Sequence, residues 1–371
     1  MSTDVNVKSQ IGSQCGVTLI EVLVALVISM VIAASMASLF ARSVQSRTQI
    51  DREGQRIEAG RYALDMLTDD LRMAGFYGDY LPRSATGFPW PSVSSATATW
   101  TIPEPCSTTV ASLGWANSGT VNVPVHITGY EAHPALKTDP AVALPTALTG
   151  CLPNYKSGTD VVVVRRVSTQ PFAPADAGAP VGDVFLQGSL CTGAADSGLP
   201  FILGAKAASG SNFTLHQLNC TALGKIRKYV VRIYYIATCD VCSPTDNLPT
   251  LKVAELANSG GLQIAVRSVT PGVENLHLEF GVDTTGDGAA DGFQVSNADP
   301  INTPPFNWQD VVSVKVYALT RDQDTTAGYS SSKEFPMGAR TLVITPNDAY
   351  KRSVFASTIR SVNPSGAREL P

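Results

Sequence analysis

The sequence predicts an α+β protein: a long N-terminal helix, membrane-spanning in its first half, packed by its second half on an antiparallel β-sheet domain. Three observations predict it. Residues Val22 to Ala41 form a twenty-residue run without charge or proline. An apolar stripe of helical period continues beyond that run. Later segments alternate apolar and polar residues, the period-two pattern of strands with one buried face.

The apolar run is the first element. At 1.5 Å rise per residue it spans about 30 Å, the thickness of a hydrocarbon core. It is longer than the apolar region of a cleavable secretory signal. Glu21 stands at its N-terminal edge. A carboxylate inside a membrane costs about 2.5–3.5 kcal/mol on insertion scales, unless it snorkels to the interface or meets a cation. Beyond the run, Ile50, Ile57, Leu64 and Leu71 recur every seven residues, and Leu67 and Ala74 add i+3 partners. Arg52, Glu53, Arg56, Glu58, Asp65 and Asp69 fall mostly off that stripe. Gly54 and Gly60 weaken the helix by up to about 1 kcal/mol each and mark a candidate bend. Gly75 and Gly78 supply the stop. The expected helix runs from about Val17 to Ala74.

From Leu81 to Leu152 the texture changes to Pro, Ser, Thr and Ala, read as loops and short strands such as Val121 to Ile127. Gln170 to Val181 reads as a loop or linker. Clearer strands follow the β-branched run Asp160 to Arg165. In Lys228 to Cys239, Tyr229, Val231, Ile233 and Tyr235 share one face, and Val230, Arg232, Tyr234 and Ile236 the other. Leu276, Leu278, Phe280 and Val282 alternate with His277, Glu279 and Gly281. Asp310 to Leu319 alternates through Val312, Val314 and Val316. The spacing fits a sheet lying on the helix stripe.

The 371 residues carry a net charge of −4, with 16% charged residues and a pI near 5.6. No basic stripe points to nucleic acid, and the short clusters Arg165-Arg166 and Lys225 to Lys228 read as solvated surface. The four histidines, 126, 133, 216 and 277, are scattered, and no nucleophile elbow, P-loop, dinucleotide fingerprint or zinc-protease motif is present. The sequence therefore gives no enzymatic reading.

Cys15 lies near the N-terminus. Cys106, Cys151, Cys191, Cys220, Cys239 and Cys242 all lie beyond the apolar run. An even set in a Thr-, Ser- and Gly-rich region points to an oxidising compartment and disulfides, with fifteen pairings open. Cys239 and Cys242 could form a local disulfide, a redox pair or half a zinc site. A local disulfide is favoured, because no second close pair and no thioredoxin-like pattern accompanies them. Orientation signals conflict. Arg42, Arg47 and Arg52 after the run outnumber Lys8 before it, which favours a cytoplasmic C-terminal side. The cysteines favour a periplasmic one.

The stretch from Asp283 to Asp291 has oxygen side chains at Asp283, Thr285, Asp287 and Asp291, with Gly288 at the sharp-turn position of an EF-hand-type loop. Ala289 would contribute its carbonyl. Gln294 stands where a bidentate Glu is required. The loop is thus a candidate for weak calcium binding; the alternative is a β-hairpin turn.

Gly16-Val17-Thr18-Leu19-Ile20-Glu21 resembles the cleavage and methylation motif of type IV prepilins. The resemblance implies a peptidase cut between Gly16 and Val17, methylation of Val17, and a Glu21 carboxylate that pairs with a neighbouring subunit's amine. Val17 replaces the usual Phe. Ser38 replaces a common helix-kinking proline, which implies a straighter helix. Asp69 to Gly78, Gly272 to Asp283 and Arg352 to Arg360 are similar to segments of the PilW family of minor pilins. That family implies an inner-membrane single-pass protein, N-terminus inside and C-terminus periplasmic, later displayed on the surface pilus. It implies as partners other minor pilins, the major pilin, the prepilin peptidase and the inner-membrane assembly machinery. The expected organisation is a leader (1–16), a membrane or filament-core helix (17–41), a helix extension (42–78) and a β-rich domain (79–371) with subregions 79–181 and 182–371. The alternatives are a tip adhesin, suggested by the long unmatched middle, and a type II secretion pseudopilin, which is typically shorter.

Overall fold

The computed structural model describes residues 16–80, 98–117, 121–133, 141–191, 194–196, 199–338, 343–344 and 348–369. Cys15, the rest of the leader before Gly16 and residues 81–97 of the expected loop region lie outside them. The chain divides into two compact units, 1–54 and 55–371.

The first unit is helical. Helix α1 spans Leu19–Met73 and runs unbroken through Ser38. All its residues from Leu19 to Asp51 are exposed. By length and composition this helix is apolar enough to cross a membrane. Ser29, Ser35 and Ser38 turn their hydroxyls onto the carbonyls of Ala25, Val31 and Ser35, so no donor is left for an apolar surrounding to strand.

The second unit starts in the last turns of α1. Its strands are β1 (Ala98–Thr101), β2 (Val121–Pro124), β3 (Ile127–Tyr130), β4 (Val161–Phe172), β5 (Val184–Gly188), β6 (Phe201–Ala205), β7 (Ile226–Ala237), β8 (Thr250–Asn258) and β9 (Leu262–Pro271). They continue as β10 (Val273–Val282), β11 (Gly292–Gln294), β12 (Val311–Arg321), β13 (Phe335–Pro336), β14 (Val343–Ile344) and β15 (Arg352–Arg360). Short helices α2 (Thr146–Thr149) and α3 (Val362–Arg368) complete it.

Among the described residues four sheets form, two of them large and two of only two strands, rather than the one expected. The larger has seven strands and is centred on β7. One edge of β7 carries β4; the other is shared, with β5 against residues 226–228 and β8 against 232–237. The smaller sheet has the order β11-β10-β12-β15, all antiparallel. One core lies among Ala63, Leu67 and Leu71 of α1 with Ala74 just after it, Val162, Val164, Tyr234 and Ile236 of the larger sheet, and Leu276, Leu278, Phe280, Val314 and Val316 of the smaller.

The expectation of one buried face per strand fails at β7. Tyr229, Val231, Ile233 and Tyr235 enter a second core on the opposite face, with Tyr77, Tyr80, Leu113, Trp115 and Phe201. The Trp115 ring meets Tyr77 and Phe201 edge-on at 4.9 Å each. The segments before β3 therefore cover the sheet, and both faces of β7 are apolar because both are roofed. Strand β4 also runs past the expected loop start to Phe172, across a register shift between Val167 and Pro171.

The helix stripe is rotated from the heptad reading. The buried positions are Arg56, Gly60, Ala63, Leu67, Asp70 and Leu71. Ile50 is 65% exposed, and Ile57 and Leu64 are half-buried. Gly60 marks a close approach rather than a bend. A Cβ there would lie 2.3 Å from the Phe355 ring of β15. Gly75 ends the helix at φ +74, a conformation that glycine adopts without strain.

All six described cysteines pair, as Cys106–Cys151, Cys191–Cys220 and Cys239–Cys242, with separations of 45, 29 and 3 residues. In the chain-entropy model the first two each stabilise the fold by about 3.5–4 kcal/mol and the third by about half that.

Candidate functional site

The Gly16 to Glu21 segment sits at the helix start. Gly16, Val17 and Thr18 precede α1, and a Cβ on Gly16 would meet nothing within 4 Å. The Thr18 carbonyl accepts the first helical bonds, from Glu21 N at 3.0 Å and Val22 N at 3.2 Å. Glu21 lies in the first turn, where the free N–H groups and helix dipole favour an anion. Val17, Leu19 and Ile20 are 69%, 83% and 72% exposed. A helix that is apolar on every side must be covered by lipid or by other helices. The residues of the motif thus lie on an open segment and one helix turn.

Among the buried polar centres of the second unit's described residues, two tie its elements together. The first joins the sheets. Asp160, just before β4, takes hydrogen bonds from His133 Nδ1 at 2.7 Å and His277 Nδ1 at 2.9 Å. The Ala132 and Leu278 amides donate to the same carboxylate, at 3.1 and 3.0 Å. Nε2 of His133 faces Asn275 Oδ1 at 2.8 Å, which requires an N–H there as well, so His133 is an imidazolium in this arrangement. Burial disfavours that charge, but the Asp160 carboxylate outweighs it and raises the His133 pKa. Burial likewise opposes the Asp160 charge, and the two histidines hold its pKa well below the usual carboxylate range. The donor atoms of the three residues lie within 4.8 Å of one another, a spacing a metal ion could use. Here hydrogen bonds occupy the carboxylate.

The second centre clamps α1. Asp70 receives Arg166 Nη2 at 2.8 Å, Arg232 Nη1 at 2.9 Å and the Tyr234 hydroxyl. Burial raises its pKa, but Tyr234 and Arg232 reverse the sign and lower it. One end of the expected solvated pair is thus an ion-pair partner of the helix. Its neighbour Arg165 is buried, donating to Thr128 Oγ1 at 2.8 Å and Pro103 O at 3.1 Å. Further back on α1, Arg56 Nη1 meets Asp322 Oδ1 at 2.5 Å.

The acidic stretch after β10 forms a β-hairpin, with Phe280 opposite Gln294. Asp283 is buried and accepts the Gly286 and Gly288 amides at 2.5 and 2.9 Å and Arg368 Nη1 at 3.2 Å. Asp291 accepts the Thr284 and Thr285 amides at 2.7 and 3.0 Å. Asp287 is exposed and accepts the Ala289 amide at 2.8 Å. The cation beside Asp283 is therefore Arg368.

A family model described as type IV pilus-assembly protein W matches residues 233–363, and one for the prokaryotic N-terminal methylation motif matches residues 11–37. Among solved structures, the chain is similar to a type IV-like pilin from Thermus thermophilus. The identity is 12%, over 56% of this chain and 78% of that one, with a TM-score of 0.26. No curated protein matches the chain. The chain shares with type IV pilin-like proteins a methylation motif at the start of an apolar helix. Over residues 233–363 the chain is similar to the PilW family. Proteins of this kind are structural in general.

Proposed function

We propose that this chain is a minor pilin that joins type IV pili or primes their assembly. The motif at Gly16 to Glu21, placed at the edge of an exposed apolar helix, carries the reading. The peptidase cuts between Gly16 and Val17, and Val17 becomes the methylated terminus. The helix waits in the inner membrane with the second unit in the periplasm. It then leaves the lipid for the filament, where Glu21 meets the amine of a neighbouring subunit. Two charges that are costly apart become tolerable as a pair, and removing one partner of a buried pair costs about 3–5 kcal/mol. In cells lacking this protein, Glu21→Ala should restore neither pilus number nor twitching, although the chain is made, processed and membrane-bound. Wild-type piliation with Glu21→Ala would sink the pairing role. Secretion defects with normal pili would select the pseudopilin reading.

A tip adhesin is the second reading. It is motivated by the long middle, about Leu81 to Ser268, of which the part before residue 233 lies outside the matched regions. Deleting this segment is not a usable test, because Trp115, Val121 and Val123 belong to the core. Surface substitutions that abolish attachment while pilus number stays normal would favour it.

Calcium at the loop with Asp283, Thr285, Asp287, Ala289 and Asp291 is retained as a proposal. It requires Arg368 to yield Asp283. Calorimetry with millimolar calcium on the full chain should then give heat that Asp287→Ala removes. No heat would end the idea.

A further inference from the structure

The hairpin loop between β7 and β8 carries a disulfide unlike the other two. Cys239–Cys242 closes a ring only 3 residues in separation, so it constrains the unfolded chain least. Cys239 is buried, whereas Cys242 is half-buried beside Val241, which is 57% exposed. Lys252 of β8 is itself buried. Its Nζ donates to the Asp240 carbonyl at 3.0 Å and lies 3.6 Å from Cys242 Sγ. The loop has a second brace. The Asp246 carboxylate accepts the Asp240, Val241 and Leu248 amides at 3.1, 2.9 and 3.0 Å. Its shape therefore does not depend on the disulfide alone.

We propose that Cys239–Cys242 is a site of thiol–disulfide exchange, with Cys242 as the sulfur that a thiolate attacks and Lys252 as the group that holds it when reduced. A thiolate attacks Cys242 Sγ; the new S–S bond forms as the old one breaks, and Cys239 leaves with the electron pair as a thiolate. A second thiolate attacks the incoming sulfur of the mixed disulfide and releases Cys242 as a thiolate. Two thiols are oxidised to one disulfide, and the protein disulfide is reduced to two thiols. The Lys252 ammonium stabilises the Cys242 thiolate, as a neighbouring cation does at reactive cysteines. Stabilising the reduced form makes the bridge easier to open. Lys252 is a positioning residue for this chemistry, since it acts through the sulfur.

The test uses the full chain in detergent, equilibrated without denaturant against a glutathione series. Each cysteine is then trapped by alkylation and read by peptide mass spectrometry. Cys239 and Cys242 should open while Cys106–Cys151 and Cys191–Cys220 stay closed, and glutathione should be trapped on Cys242 in Cys239→Ser. Lys252→Met should raise the midpoint ratio of squared glutathione to glutathione disulfide by roughly tenfold, the equivalent of one thiol pKa unit and about threefold in glutathione at fixed disulfide, whereas Lys252→Arg should leave it near wild type. In the reduced wild type, Cys242 should alkylate faster at neutral pH than Cys239, a readout that holds even where Lys252→Met fails to fold. Opening of all three bridges together, or equal alkylation of the two thiols, would overturn the proposal. So would an unchanged midpoint in a folded Lys252→Met.

Discussion

Replacing Asp160 with Ala should cost the second unit about 3–5 kcal/mol, a large share of the 5–15 kcal/mol that holds a domain folded. The substitution removes the carboxylate that keeps buried His133 protonated and the acceptor for the Ala132 and Leu278 amides. It also unties the larger sheet from β10, because His277 and Leu278 lie on that strand. The urea midpoint should fall with the m-value nearly unchanged. The pH profile identifies the same centre. Asp160 has a lowered folded pKa, so its contribution is present above the unfolded value and is lost as pH falls through the folded one. His133 has a raised folded pKa, so its contribution is complete below 6.5 and lost as pH rises through the folded value. His126 adds an acid-side loss. Burial pushes it down to about 4 while it bonds the Val311 carbonyl at 2.7 Å, so stability declines as pH falls from 6.5 toward that value. Wild-type stability should peak near neutrality. In Asp160→Ala the alkaline decline due to His133 should vanish. A variant with wild-type stability and an unchanged profile would show that the centre does not hold the sheets.

Asp70→Ala should have an effect of similar size, also about 3–5 kcal/mol, because two guanidinium groups and a buried hydroxyl converge on one carboxylate. The loss should be local to the helix. Amides of residues 60–73 should exchange faster than those of β10 and β12, since the carboxylate is what draws Arg166 and Arg232 of the larger sheet to α1. Arg56 makes an independent tie to Asp322, 14 residues earlier on a helix that rises 1.5 Å per residue. The losses from Asp70→Ala and Arg56→Ala should therefore add, within about 0.5 kcal/mol. Uniform exchange across the unit would mean that Asp70 stabilises the whole fold rather than the helix contact.

The comparison of sequence with structure separates two kinds of information. Local periodicity finds the helix, β7, β10 and β12, because a period of two or of 3.6 is written within ten residues, whereas β15 is expected only from the family resemblance of Arg352 to Arg360. The short run at Val121 is legible as extended, but its parallel pairing with β1 is not, since both strands are only four residues long; nor is the hairpin of β8 and β9. Strand β8 carries a charged side chain at Lys252 that turns inward, which broke its apolar pattern. The same blindness hid both polar centres. Arg56 and Asp70 look like solvent residues on a helix, but their partners lie 266 and up to 164 residues away. His133 and His277 reach Asp160 across 27 and 117 residues. Only the burial of three elements together reveals them. One signal was present: Asp160 stands directly before four consecutive valines, a place where a carboxylate is drawn into a core and needs partners. The methylation motif is legible because it is contiguous, and a family model matches residues 11–37 around it.

Processing at that segment is the most direct test of the pilin assignment. Intact-mass and N-terminal peptide mass spectrometry of the protein recovered from its own membranes should show a chain beginning at Val17 with one added methyl group. A chain that still carries Met1 to Gly16, or one cut elsewhere, would contradict the assignment.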